Sequence, residues 1–104
     1  MPKLIVANWK MNGSLSMAHD YAWALTRSLE AKPSPHTIVV CPPIAYISFV
    51  VGRLVGTGIA VGAQDCSAHK KGAHTGEISC DMLHDIGCTY VLVGHSECRQ
   101  AHQE

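Results

Sequence analysis

Lys10 and His95 are the side chains whose positions invite chemistry. Each follows a short apolar run: Leu4-Ile5-Val6 precedes the lysine, and Tyr90-Val91-Leu92-Val93 precedes the histidine. Asn8 accompanies Lys10, Glu97 accompanies His95, and Gln64 follows a further run, Ile59-Ala60-Val61. If the runs are parallel strands, these polar residues share the C-terminal edge of one sheet, where βα proteins gather reactive groups. A cationic side chain, an imidazole and a carboxylate are the types used for proton transfer and for steadying charge. Each also has an ordinary reading. A lysine after a strand is usually a solvated charge, and a histidine between Gly94 and Ser96 is often a structural hydrogen-bonding group. Glu97 can equally be a first-turn carboxylate that favours a helix dipole.

The elements that must position these residues are legible as patterns. With Thr37-Ile38-Val39-Val40, the apolar runs number four, and they are continuously apolar rather than alternating. That is the pattern of parallel strands covered on both faces. Between them lie helical patterns. Ser14 and Ser16 are both suitable N-caps for a helix with Met17, Tyr21, Leu25 and Leu29 on one face, ended by Pro33 and Pro35. Pro43 suits the first position of a second helix, with Ile44, Ile47, Val51, Leu54 and Val55 as its buried stripe and Gly56 as its stop. Ile78, Met82, Leu83 and Ile86 predict a third helix ended by Gly87. The order β-α-β-α-β-α-β requires a parallel sheet with right-handed crossovers, in a single domain over residues 1–104. Residues 64–76 form the one long polar connection, a length that in a compact βα protein is usually functional or an interaction loop.

Composition narrows the function. Eight Lys plus Arg balance eight Asp plus Glu, and the charges are scattered, so no nucleic-acid partner is expected. Apolar stretches break well before the roughly 20 residues that span a bilayer, so no membrane association is expected. The N-terminus lacks the pattern of a signal peptide, and the cytoplasm is the expected location. Five cysteines (Cys41, Cys66, Cys80, Cys88 and Cys98) form no C-x-x-C pair, which fits reduced thiols better than a disulfide framework. His69, His74, Cys80 and His84 are the nearest approach to a metal-ligand grouping, but their spacing is irregular and no metal site is expected.

Three segments are specific in combination. They are Asn8-Trp9-Lys10-Met11-Asn12-Gly13, Gly72-Ala73-His74-Thr75-Gly76-Glu77-Ile78-Ser79, and Val93-Gly94-His95-Ser96-Glu97-Cys98-Arg99. In this order and at these distances, each resembles a signature segment of the triosephosphate isomerase family. The resemblance covers the whole chain and corresponds to the first four βα units of the (β/α)8 TIM barrel, so a partial barrel of the α/β class is expected.

The resemblance implies a function: interconversion of dihydroxyacetone phosphate and glyceraldehyde 3-phosphate by proton transfer through an enediolate, within glycolysis and gluconeogenesis. The substrate would be a small phosphorylated triose, and no cofactor is implied. Lys10 would place positive charge near substrate oxygen and phosphate, and Asn8 would hydrogen-bond within that cluster. His95 would donate to the carbonyl oxygen as a neutral electrophile, and that a helix N-terminus keeps such a histidine neutral is a property inherited with the family. Glu97 would lie close to Lys10 and orient it. The loop carrying Thr75 and Glu77 would reach into a neighbouring subunit, so a homodimer contact is expected at residues 73–77.

Two departures stand out. Cys98-Arg99 replaces the family's usual Arg-Arg, which removes a planar multi-donor partner, and Ala7 replaces a common Gly. The family's general base is a glutamate on the sixth strand, and its lid and later phosphate loops also correspond to nothing in residues 1–104. Truncation, or one half of a split protein, is the expectation, with no appreciable isomerase activity from these residues alone. A half-barrel would leave strand edges near Lys3 and Tyr90 and one inner face uncovered, favouring oligomers or packing against a complementary half. Two alternatives to an enzyme piece remain: a non-catalytic half-barrel interaction module, and a metal- or thiol-responsive domain.

Overall fold

The computed structural model describes residues 1–93. His95, Glu97, Cys98 and the helix expected after Gly94 lie outside the described residues.

Among the described residues, four strands, β1 (Leu4–Asn8), β2 (Thr37–Cys41), β3 (Ala60–Ala63) and β4 (Tyr90–Val91), alternate with three helices, α1 (Leu15–Ala31), α2 (Ile44–Leu54) and α3 (Cys80–Asp85). All pairs are parallel and the spatial order is the chain order, β1-β2-β3-β4. The register runs from Leu4 opposite Thr37 to Asn8 opposite Cys41, then Val40 opposite Val61, then Ala63 opposite Val91. These pairings bring the ends of β1, β2 and β3 to one edge of the sheet.

Local chemistry explains the element boundaries. Of the two serines, Ser14 caps α1: its backbone is extended and its hydroxyl accepts from Met17 N at 3.0 Å. Such a cap is worth about 1 kcal/mol. The α2 helix starts one residue later than the sequence predicts. Pro43 has ψ 152, an extended value, so it is the N-cap and Ile44 is the first helical residue. The α3 helix is shorter than its apolar pattern, with Ile78 and Ile86 flanking it rather than within it.

The core is one cluster. Ile47, Val50 and Leu54 of α2 pack with Val40, Val61 and Ala63 of the sheet, Leu83 of α3, and Ala18 and Ala22 of α1. Side chains as buried as Ile47 and Leu83 each contribute about 1.5–3 kcal/mol by leaving water. The buried stripe of α2 is rotated from the expected one. Val50 is buried, whereas Ile44 is exposed in the first turn and Val55 is exposed because it is the C-cap, with a non-helical ψ of 131 that takes it out of the helical stripe. Met82 of α3 is likewise exposed.

Coverage of both sheet faces holds for the centre and fails at the edge. Val39, Val40 and Cys41 of β2 have no solvent exposure, while Leu4, Ile5 and Val6 of β1 are 55, 44 and 40 % exposed. Among the described residues β1 has one strand neighbour, so its other side and its inner face stay open. Gly62 marks the tightest approach within the sheet. A Cβ there would lie 2.8 Å from Cys41 Sγ and 3.1 Å from Tyr90 Cβ, so β3 can sit between its neighbours only as glycine.

Candidate functional site

The sequence Asn8-Trp9-Lys10 turns the chain out of β1. Trp9 N donates to Cys41 O at 3.1 Å, extending the β1–β2 ladder by one residue. The chain then bends sharply. Asn8 Oδ1 accepts from Lys10 N at 2.8 Å, an Asx-type closure of the kind this short amide favours. Lys10 has φ 56 and is the only non-glycine residue with positive φ among the described residues. A left-handed lysine costs about 1–3 kcal/mol and persists only where surrounding contacts over-determine it.

Those contacts are present. Gln64, the first residue after β3, donates from Nε2 to Lys10 O at 2.7 Å and to Cys41 O at 3.0 Å. One amide nitrogen therefore ties together the loops that follow β1 and β2. On the other side, Asn12 Nδ2 donates to Trp9 O at 2.8 Å. Trp9 is buried and meets Tyr21 edge-on, with ring centroids 5.0 Å apart, so the residue before Lys10 is bolted to α1. Tyr46 of α2 donates to Gly13 O at 3.3 Å, and its ring lies where a Cβ on Gly13 would come within 2.9 Å. The ammonium group of Lys10 is thus carried on an exposed residue whose backbone is held by Asn8 and Gln64 and whose neighbours Trp9 and Gly13 are tied to α1 and α2. That is the arrangement needed to present a fixed positive charge at a sheet edge.

The long connection between β3 and α3 is also internally built. Ser67 N donates to Ile78 O at 2.7 Å, and Ser67 Oγ donates to Glu77 Oε1 at 2.6 Å. Glu77 N bonds His74 O at 3.0 Å, and the rings of His69 and His74 stack 3.8 Å apart. Thr75 is exposed at the loop's far end. An open cleft of about 920 Å³ separates this loop from the start of α2, with Gln64, Cys66, Ser67, Glu77 and Ile47 in its wall.

The sequence-predicted residues therefore divide into three groups. Asn8 and Lys10 are brought together with Gln64. Thr75 and Glu77 share one ordered loop. His95 and Glu97 lie outside the described residues. The sequence puts Gln64 at a strand end without giving it a task, and the structure supplies one. Ser67 carries no signal in the sequence at all, since its partner Glu77 is fixed by the loop and not by any periodicity.

The thiols differ in character. Burial pushes Cys41 up, the neighbouring Cys88 adds to this, and a backbone bond from Gly62 opposes it. Burial also pushes Cys88 up. Cys66 is pushed up to about 11, first by its hydrogen bond with Cys80 and then by burial and the charge of Asp65. Among the described residues no three His, Cys, Asp or Glu side chains converge as metal ligands, and no helix is long and apolar enough to cross a membrane.

Parallel strands joined by helices, with a fixed lysine at the C-terminal edge, define a partial α/β barrel of the enzyme-bearing kind. The family model described as triosephosphate isomerase matches residues 3–104, and the chain belongs to that family. It is 47% identical over 104 residues to a protein named triosephosphate isomerase from Gluconacetobacter diazotrophicus, covering all of this chain and 42% of that relative. A triosephosphate isomerase from Polynucleobacter necessarius subsp. necessarius is 44% identical over 107 residues, and one from Aquifex aeolicus is 45% identical over 100 residues. The chain spans 42% of the first of these two relatives and 40% of the second.

Proposed function

We propose that residues 1–104 form, as a single domain, the first four βα units of a triosephosphate isomerase. The observation that carries this reading is Lys10, held in a left-handed turn at the end of β1 by Asn8 and Gln64. Interconverting dihydroxyacetone phosphate and glyceraldehyde 3-phosphate moves a proton between adjacent carbons and builds negative charge on oxygen. Lys10 steadies that charge, and Asn8 holds the turn that aims it. His95 donates to the substrate carbonyl, and Glu97 orients Lys10. No group in residues 1–104 is assigned to remove the carbon-bound proton. A missing positioned base lowers a rate by about 10²–10⁴-fold, so these residues need the remainder of a barrel to turn over substrate.

The same proposal includes a homodimer in which residues 73–77 brace the neighbouring subunit's site, with work in the cytoplasm. The Ser67–Glu77 bond and the His69–His74 stack support it, because a loop that projects into a partner must keep its own shape.

The test is the conversion of glyceraldehyde 3-phosphate by the intact protein and by its Lys10→Met variant. Loss of the charge is expected to lower kcat by about 10²–10³-fold, as for removal of one oxyanion-stabilising donor. A variant with unchanged kcat, or an isolated 104-residue chain with enzyme-like turnover, overturns the assignment.

A further inference from the structure

Cys66 and Cys80 face each other across the base of the β3–α3 loop, with 3.0 Å between their sulfurs. Both backbones are anchored. Just inside the pair, Ser67 N bonds Ile78 O at 2.7 Å, joining the two arms of the loop. Cys66 N donates to Asp65 Oδ1 at 2.9 Å. Ser79 caps α3 through Met82 N at 3.2 Å, which fixes Cys80 as the first helical residue. Both thiols are reachable: Cys80 is exposed, and Cys66 is half-buried in the wall of the open cleft. Cys41 and Cys88, by contrast, are buried in the fold.

A disulfide has its sulfurs about 2.05 Å apart, so these must close by about 1 Å, a shift within reach of side-chain rotation. We propose that Cys66 and Cys80 are a reversible thiol–disulfide site, closed by a peroxide or by a low-molecular-weight disulfide.

With hydrogen peroxide, the exposed Cys80 sulfur attacks one peroxide oxygen. The O–O bond breaks, one water leaves with the thiol proton, and Cys80 becomes a sulfenic acid. Cys66 sulfur then attacks Cys80 sulfur. The S–S bond forms, the S–O bond breaks, and the Cys66 proton leaves with the departing hydroxide as a second water. Two thiols lose two electrons and two protons, and the peroxide is reduced to two waters. A small-molecule dithiol reverses the change by thiol–disulfide exchange and is itself oxidised. The order of attack follows from access, since Cys80 is exposed and Cys66 is half-buried behind it. Closure rings off residues 67–79, including the His69–His74 stack and the Ser67–Glu77 bond. The closed loop includes residues 73–77, but the thiol chemistry itself does not depend on the isomerase reading.

The test is peptide mapping of the intact protein under non-reducing conditions, after treatment with hydrogen peroxide or oxidised glutathione. The expected result is one linked peptide joining Cys66 to Cys80, a loss of two titratable thiols, and recovery of both with dithiothreitol. Amide hydrogen exchange across residues 67–79 should slow in the oxidised form. The Cys80→Ser variant should give no linked peptide, and Cys41→Ser should leave the linkage intact. The proposal is overturned if Cys66 stays alkylatable while Cys80 stops at a sulfinic acid or a mixed disulfide. It is equally overturned if the linkage forms with Cys98 instead, or only after the protein is unfolded in urea.

Discussion

Gln64 reaches across 54 positions of sequence to hold the carbonyl of Lys10 at 2.7 Å. The same nitrogen bonds Cys41 O at 3.0 Å, so the conformation of the lysine turn depends on a residue that follows a different strand. A left-handed lysine is not an intrinsic preference of Asn-Trp-Lys. It is imposed by this long-range bridge together with the local bond from Asn8.

Replacing Gln64 with Ala removes both bonds and leaves two carbonyls to find water. At about 0.5–1.5 kcal/mol each, the loss is about 1–3 kcal/mol in urea unfolding of the intact protein. Under the proposed function, isomerase activity should fall with it, in kcat more than in KM, because the lysine loses its aim rather than its charge. An unchanged urea midpoint together with unchanged kcat would show that the bridge holds nothing.

Lys10 offers a sharper comparison between two small replacements. Ala and Gly both delete the ammonium group, so under the proposed function both should lose activity to the same degree. They should differ in stability, because only glycine adopts φ 56 without strain. Lys10→Gly is expected to be more stable than Lys10→Ala by about 1 kcal/mol, against the usual order of these two residues. Equal midpoints in urea would mean that the turn relaxes freely once the lysine is gone.

Alkaline solution should weaken the fold through its buried thiols. Cys41 and Cys88 are both raised from the ordinary value of 9.0, so the folded chain holds their protons more tightly than the unfolded chain does. Their contribution is fully present below pH 9.0 and is lost as pH rises from there through the folded-state values. Urea midpoints measured from neutral pH upward should therefore decline above pH 9.0, less steeply in a Cys41→Ala, Cys88→Ala variant. Parallel declines in parent and variant would assign the effect to other groups.

Much of the architecture was legible because it rests on local rules. The apolar runs mark the strands, Ser14 marks the start of α1, and the β-α order leaves a parallel sheet as the outcome. Boundaries that depend on one dihedral were not legible. Pro43 has the φ of a helix and the ψ of a strand, and composition cannot separate the two positions it could occupy. The buried face of α2 departs from the sequence pattern for a similar reason. Its apolar residues surround more of the helix than the sheet covers, and only packing selects Val50 over Ile44. In the site, Lys10 and Asn8 stand out by type and position, whereas the work of Gln64 comes from strand register. The closeness of Cys66 and Cys80 had no sequence signal, since the fold of their loop and not a C-x-x-C spacing unites them.

The strict order of the strands bears on how the polypeptide assembles during its own synthesis. Because β1 pairs with β2, β2 with β3, and β3 with β4, each new strand finds its neighbour in the segment translated just before it. Ordering can therefore advance one βα step at a time behind the ribosome, with a single intervening connection and helix to close at each step. Leu4, Ile5 and Val6 gain β2 on one side only in that sequence of events. The apolar edge they form is exposed from the first step, and it stays adhesive for as long as the growing sheet brings it no second neighbour.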